Sequence, residues 1–112
     1  MPVRIAKRHK YGAKAVTIDG IRFASKKEGK RYGELKLLAK AGEINALHIQ
    51  HEFNVEINGH KVFTYFADFS YWQGDDDGGR MHYEDVKGVR TPVYKLKKRI
   101  VEAVYGIEIT EI

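Results

Sequence analysis

Residues 82–92 read "HYEDVKGVRTP", and this stretch decides the fold. Its first half has the look of a β-strand, and Thr91 followed by Pro92 marks the start of a helix, with Thr91 as cap and Pro92 at the first helical position. Side chains alternate along a strand, so Met81, Tyr83, Asp85 and Lys87 share one side while His82, Glu84 and Val86 share the other. A small domain ordinarily places apolar groups or a simple alternation there. Two acids and a lysine at that position need something to hold them.

Working upstream, a second strand is expected at about 61–72, and Asp68 sits inside its apolar run "VFTYFADFSYW" (62–72). Before it lies a strand at about 46–57, joined through Asn58-Gly59, a strong two-residue hairpin signal. The loop "QGDDDGGR" leads on to the strand at 81–87, so a three-stranded antiparallel meander is expected. The aspartate run in that loop lacks calcium-loop spacing and reads as a solvated turn.

Further upstream, Ser25 and Glu28 match a capping box and Gly42 supplies a stop, predicting a helix over 26–41. Tyr32, Leu35, Leu38 and Ala39 form its apolar face, and Glu28, one turn before Tyr32, lies on the same face. Glycines 29 and 33 weaken an isolated helix by about 1 kcal/mol each, which suggests a close approach of other groups there. A small hairpin turning at Asp19-Gly20 precedes this helix. Downstream, Val93, Leu96, Ile100 and Val104 recur at helical spacing before a stop at Gly106, and "IEITEI" closes the chain as a strand.

The 112 residues suit one domain over 11–112, preceded by a basic arm at 1–10. No apolar run approaches the length of a membrane span and the N-terminus lacks a secretory pattern, so cytoplasmic residence is the default expectation. There is no cysteine, which removes thiolate zinc sites and thiol catalysis. The five histidines, at 9, 48, 51, 60 and 82, show no metal-ligand spacing. Any metal would be a hard cation on oxygen ligands. The net charge of +5 is uneven: residues 1–36 hold eleven Lys or Arg against three acids, and the remainder is net negative. Such a basic front attracts phosphate backbones through counterion release.

If the strands carrying Asp68 and Asp85 pair antiparallel, about 4.8 Å apart, their carboxylates converge. Like charges in a partly buried sheet are unfavourable without compensation, and a divalent ion would compensate. Mg²⁺ takes one or two carboxylates with waters and substrate phosphate, and Lys87 would then sit beside the attacking water or the scissile phosphate. The plain alternatives are a surface pair of Asp85 with Lys87 and a capping role for Glu28.

The spacing of "ADF" and "DVK" resembles the signature of the PD-(D/E)XK nuclease superfamily. The order helix, three strands, helix, strand is similar to its αβββαβ core. More closely, "FASKKE", "RYGELKLL", "ADFSY", "YEDVKG" and "TPVYKLKK" resemble a family of small phage and prophage proteins described as endonucleases, over roughly residues 10–107. The resemblance implies an α+β, restriction-endonuclease-like fold: a mixed sheet flanked by two helices, with the N-terminal hairpin added. It also implies that Asp68 and Asp85 bind Mg²⁺ or Mn²⁺, that Glu28 joins them from the helix, and that Lys87 positions or activates the water. Two departures stand out: Ala67 occupies the place of the signature proline, and the second acid is Asp where Glu is more frequent. Gln50, Tyr94 and Lys97 fall where related nucleases sometimes support the site, although packing accounts for them equally.

The leading expectation is therefore a metal-dependent DNA endonuclease, phage-encoded and acting in a bacterial host cell. Lys7, Arg8 and Lys10 of the arm, Lys27 and Arg31 of the first helix, and Lys97 of the second would hold the nucleic acid. So short a chain has little room for base reading, which favours structure-selective or weakly specific cutting, of the resolvase or nicking kind, by a dimer. The alternatives are a non-catalytic double-stranded nucleic-acid-binding module and a phage adaptor protein with a decayed site.

Overall fold

A computed structural model describes residues 14–75 and 77–112, so the basic arm with Lys7, Arg8 and Lys10 lies outside the described residues. The first hairpin joins β1 (Val16–Ile18) to β2 (Ile21–Phe23) as a separate two-stranded sheet. Asp19 and Gly20 both take positive φ, 54° and 75°, as a type I′ turn requires. Helix α1 follows as Lys26–Lys40, with the Ser25 hydroxyl accepting from the Glu28 N–H at its start. Of its expected apolar face, Tyr32 and Leu35 are buried and Ala39 packs beside them, but Leu38 is exposed.

The expected meander forms as β3 (Ile44–Ile57), β4 (His60–Gln73) and β5 (Arg80–Asp85), the first two longer than the periodicity suggested and the third ending two residues early. The hairpin turn falls at Asn58-Gly59, and Asp75 Oδ1 folds the acidic loop by accepting from the N–H groups of Asp77 and Gly78. Helix α2 runs Pro92–Tyr105 and stops at Gly106, which adopts φ 64°. Strand β6 (Ile109–Glu111) then pairs parallel with β5, so the sheet is mixed, in the order β3-β4-β5-β6. The chain is thus an α+β fold with an αβββαβ succession after its N-terminal hairpin. No helix among the described residues is long and apolar enough to cross a membrane.

The two helices cover opposite faces of this sheet. Glu84 on β5 turns toward Arg31 of α1, while its neighbour Asp85 turns toward Tyr65, which packs with Val101 of α2. One core joins Phe23, Tyr32, Leu35, Ile44, Phe69 and Tyr71 beneath α1, and another joins Phe53, Val55, Tyr65, Ala67, Val101 and Ile109 beneath α2. The second helix corrects the sequence reading. Its repeating Val93, Leu96 and Val104 are more than half exposed, whereas Tyr94, Lys98 and Val101 face the protein. Aromatic and charged side chains won that face because the sheet offers them Glu111 and Asp85 as partners, as set out below.

Candidate active site

The β4–β5 ladder has its last main-chain pair at Phe69 and Glu84. Beyond it, two aspartates take over. The Asp68 N–H donates to Asp85 Oδ1 at 3.1 Å, and the Val86 N–H donates to Asp68 Oδ2 at 2.8 Å. The other oxygen of Asp85 accepts from the Tyr65 hydroxyl. Asp85 is wholly buried, and that burial pushes its carboxyl above the usual carboxylate range, against the pull of Lys87 and of the Asp68 amide. Asp68 and Asp85 therefore converge as the strand pairing implied, joined through the main chain.

Asp68 reaches this position because the pleat breaks beside it. The register Ile49↔Phe69 and His51↔Ala67 places Gln50 opposite Asp68, and Gln50 adopts φ 57°. A left-handed residue within a strand reverses which side the following residues face. On β3, Leu47 and Ile49 accordingly pack under α1 while Phe53 and Val55, at the same parity, pack under α2, and the paired β4 switches at the same level, with Tyr65 and Ala67 under α2 and Phe69 and Tyr71 under α1. Ser70 confirms the switch, since it bonds His51 on the Tyr83 and Phe53 side. Gln50 Nε2 also donates to Asp68 Oδ1 at 3.4 Å.

Where β5 ends, the sheet opens into a cleft of about 550 Å³ between the first turns of both helices and the free edge of β4. Glu28 and Asp68 line it together with Lys87, Tyr94 and Lys97. The Ser25 cap fixes the first turn of α1 and so aims Glu28, which is buried, at this wall. Lys87 lies two residues past the end of β5, not within the strand as expected. Its ammonium stands 4.4 Å from the centre of the Tyr94 ring, and its carbonyl accepts from Lys27 Nζ at 3.2 Å. Lys97 Nζ rests over the Phe63 ring at 5.4 Å.

Behind Tyr94 is a cluster that the sequence did not reveal. The Tyr94 hydroxyl donates to Glu111 Oε2 at 2.8 Å, and Arg90 Nε donates to Glu111 Oε1 at 2.7 Å. Arg90 and Tyr94 together hold the Glu111 carboxyl below its usual range, and burial, with Glu111, pushes the Tyr94 phenol far up. Lys98 of α2 is mostly buried and lies 3.9 Å from Glu111. Neither Glu111 nor Tyr65 belongs to any local motif; alternation along "IEITEI" and "VFTYFADF" was the only available signal, and it names no partner.

Of the cations expected to meet nucleic acid, Lys27 and Lys97 line the cleft. Arg31 does not. It grips Glu84 through Nε at 2.8 Å and Nη2 at 2.6 Å, and reaches Glu34 through Nη1. Tyr71 donates to the same Glu84 at 2.5 Å, and burial, helped by Glu84, raises its phenol to about 12. Glu84 is thereby neutralised on the α1 face, away from Asp85.

For a metal, the donors on the cleft wall are the carboxylates of Glu28 and Asp68, hard oxygens that suit Mg²⁺ or Mn²⁺ with water completing the shell. Asp85 stands behind Asp68 with both oxygens engaged. Among the described residues no three acid or imidazole side chains stand close enough to hold one ion together. A two-carboxylate site fits the residues present.

Fold and cleft define an α+β domain of αβββαβ order whose acids and lysines meet at the open end of the sheet. Residues 8–110 match the family model described as a protein of unknown function, DUF1064, and the chain belongs to that family. Comparison with curated proteins finds no match, and comparison with solved structures finds none either.

Proposed function

We propose that this protein is a metal-dependent endonuclease hydrolysing phosphodiester bonds in DNA. The observation that carries this reading is that Glu28, Asp68 and Lys87, from a helix, a strand and the following loop, line one cleft. Asp68 and Glu28 would hold Mg²⁺ or Mn²⁺, which when bound supplies Lewis-acid polarisation of a phosphoryl oxygen and acidifies water. Asp85 holds the Asp68 main chain in place, and Lys87 offers its ammonium to the negative charge that grows on the phosphate during attack. Lys27 and Lys97 sit where flanking phosphates would pass. The proposal extends to structure-selective or weakly specific cutting by a dimer, and the wider reading includes phage origin and action in the host cytoplasm.

The test is incubation with supercoiled, linear and four-way-junction DNA in Mn²⁺, beside Asp68→Asn and Lys87→Ala. The wild type is expected to cut at least one substrate, and each variant to cut about 100-fold more slowly while still retaining DNA. Absence of cutting of all three, or undiminished cutting by Lys87→Ala, would overturn the proposal.

A second reading is a non-catalytic double-stranded nucleic-acid-binding module. The full engagement of Asp85 with Tyr65 and Asp68 favours it, because those contacts build structure without a ligand. Under it, Asp68→Ala keeps or raises nucleic-acid affinity and calorimetric titration with Mn²⁺ gives no saturable heat.

A further inference from the structure

We infer that Glu111, on the last strand, is a positioning residue that sets the place of the Lys87 ammonium through the Tyr94 ring. The inference rests on the reading of Lys87 given above. Its basis is a continuous set of contacts. Lys87 lies beyond β5, so no ladder on both sides fixes it; its N–H reaches Ile112 O only at 3.5 Å. The ammonium rests over the face of Tyr94, 4.4 Å from the ring centre. A ring face attracts a cation but leaves it free to slide, so the ammonium is located only as well as the ring is.

The ring is located at its far end. Tyr94 belongs to the first turn of α2, where the Thr91 hydroxyl accepts from its N–H at 3.1 Å, and this fixes the backbone but not the side chain. The phenol is fixed by Glu111 Oε2 at 2.8 Å, and the remaining oxygen of Glu111 is taken by Arg90 at 2.7 Å. One face of Tyr94 also stacks with Tyr65, 6.4 Å between centres, and Tyr65 is the donor to Asp85. Glu111 itself is paired in register with Asp85 by the parallel β5–β6 ladder, and the Ile112 N–H donates to Asp85 O at 2.8 Å. The final strand thus sets Lys87 relative to Asp85 along two routes, one through the main chain and one through Tyr94. Separation of about 1 Å between a positioned group and its target can cost on the order of 100-fold in rate. Glu111 is not among the residues lining the cleft and reaches it only through Tyr94, which is.

The test uses the full chain and two readouts. The side-chain methylene signals of Lys87 in a carbon–proton correlation spectrum are expected upfield of the other lysines, because of the ring beneath them. Glu111→Ala and Tyr94→Phe, the latter keeping the ring and removing only its anchor, should collapse more than half of that displacement. Glu111→Gln, which can still accept from Tyr94, should restore most of it, and Lys95→Ala on the outer face of α2 should leave it unchanged. In the Mn²⁺ cleavage assay, Glu111→Ala and Tyr94→Phe should lower kcat by about tenfold with KM for DNA unaltered. An unshifted Lys87 signal in wild type, or one that survives Glu111→Ala and Tyr94→Phe alike, overturns the inference. So does a KM effect without a kcat effect. If the wild type cuts nothing, the nuclease reading falls, and the spectrum alone decides whether Glu111 positions Lys87.

Discussion

Asp68 and Asp85 exchange main chain for side chain: the Asp68 N–H donates to the Asp85 carboxylate at 3.1 Å, while the Asp68 carboxylate accepts from the N–H of Val86, one residue past Asp85. The ladder ends without orphaned amides at those positions, and one acid comes to line a cleft with the other buried behind it. Their separation into roles follows. Asp85 is the buried support and Asp68 the group at the wall.

Burial raises the Asp85 carboxyl, so the folded chain holds that proton more tightly than the unfolded chain does. The stability this contributes is complete below the ordinary value of 3.8 and is lost as pH rises through the folded one. Asp85→Asn keeps an acceptor for the Asp68 amide and removes the buried charge. Its melting temperature relative to wild type should therefore climb between acid and neutral pH. Parallel melting curves across that range check this, and a constant difference would contradict it.

Gly29 and Gly33 should respond to alanine in opposite directions. A Cβ at Gly29 would fall 2.6 Å from Val16 Cγ2 and 3.0 Å from Ile18 Cδ1, so Gly29→Ala should push the first hairpin off α1 and destabilise. Nothing lies within 4 Å of a Cβ at Gly33, contrary to the close approach expected from sequence. Gly33→Ala should stabilise by about 1 kcal/mol in urea unfolding.

Arg31→Ala should cost about 2 kcal/mol of stability, because it leaves Glu84 buried without its guanidinium. It should leave the salt dependence of DNA binding unchanged. Lys27→Ala and Lys97→Ala should instead each reduce the slope of log affinity against log salt by about one unit, with little effect on melting. An equal slope change for Arg31 would return it to the nucleic-acid surface.

The exposed stripe of α2 and its buried side should also separate. Val101→Ala, beneath the helix, is expected to cost about 2 kcal/mol, whereas Leu96→Glu on the exposed side should leave the melting temperature of the monomer within a degree or two. Sedimentation of the Leu96→Glu protein beside wild type shows whether that stripe also joins two copies.

The sequence alone determined the elements whose cause is local. Asp19-Gly20 and Asn58-Gly59 turn where positive φ is needed, Ser25 and Thr91 cap where free amides need an acceptor, and Gly106 stops α2 by adopting a left-handed conformation. The meander and the αβββαβ succession followed from these signals and from strand alternation. Alternation itself failed where β3 and β4 change face together at the level of Gln50 and Asp68, and no residue type at Gln50 announces its left-handed conformation. Which face of α2 is buried was likewise undecided by periodicity, since Tyr94 and Lys98 turn inward only once β6 brings Glu111 alongside. Contacts between residues far apart in sequence depend on how the strands register, and that is settled only when the whole sheet has assembled.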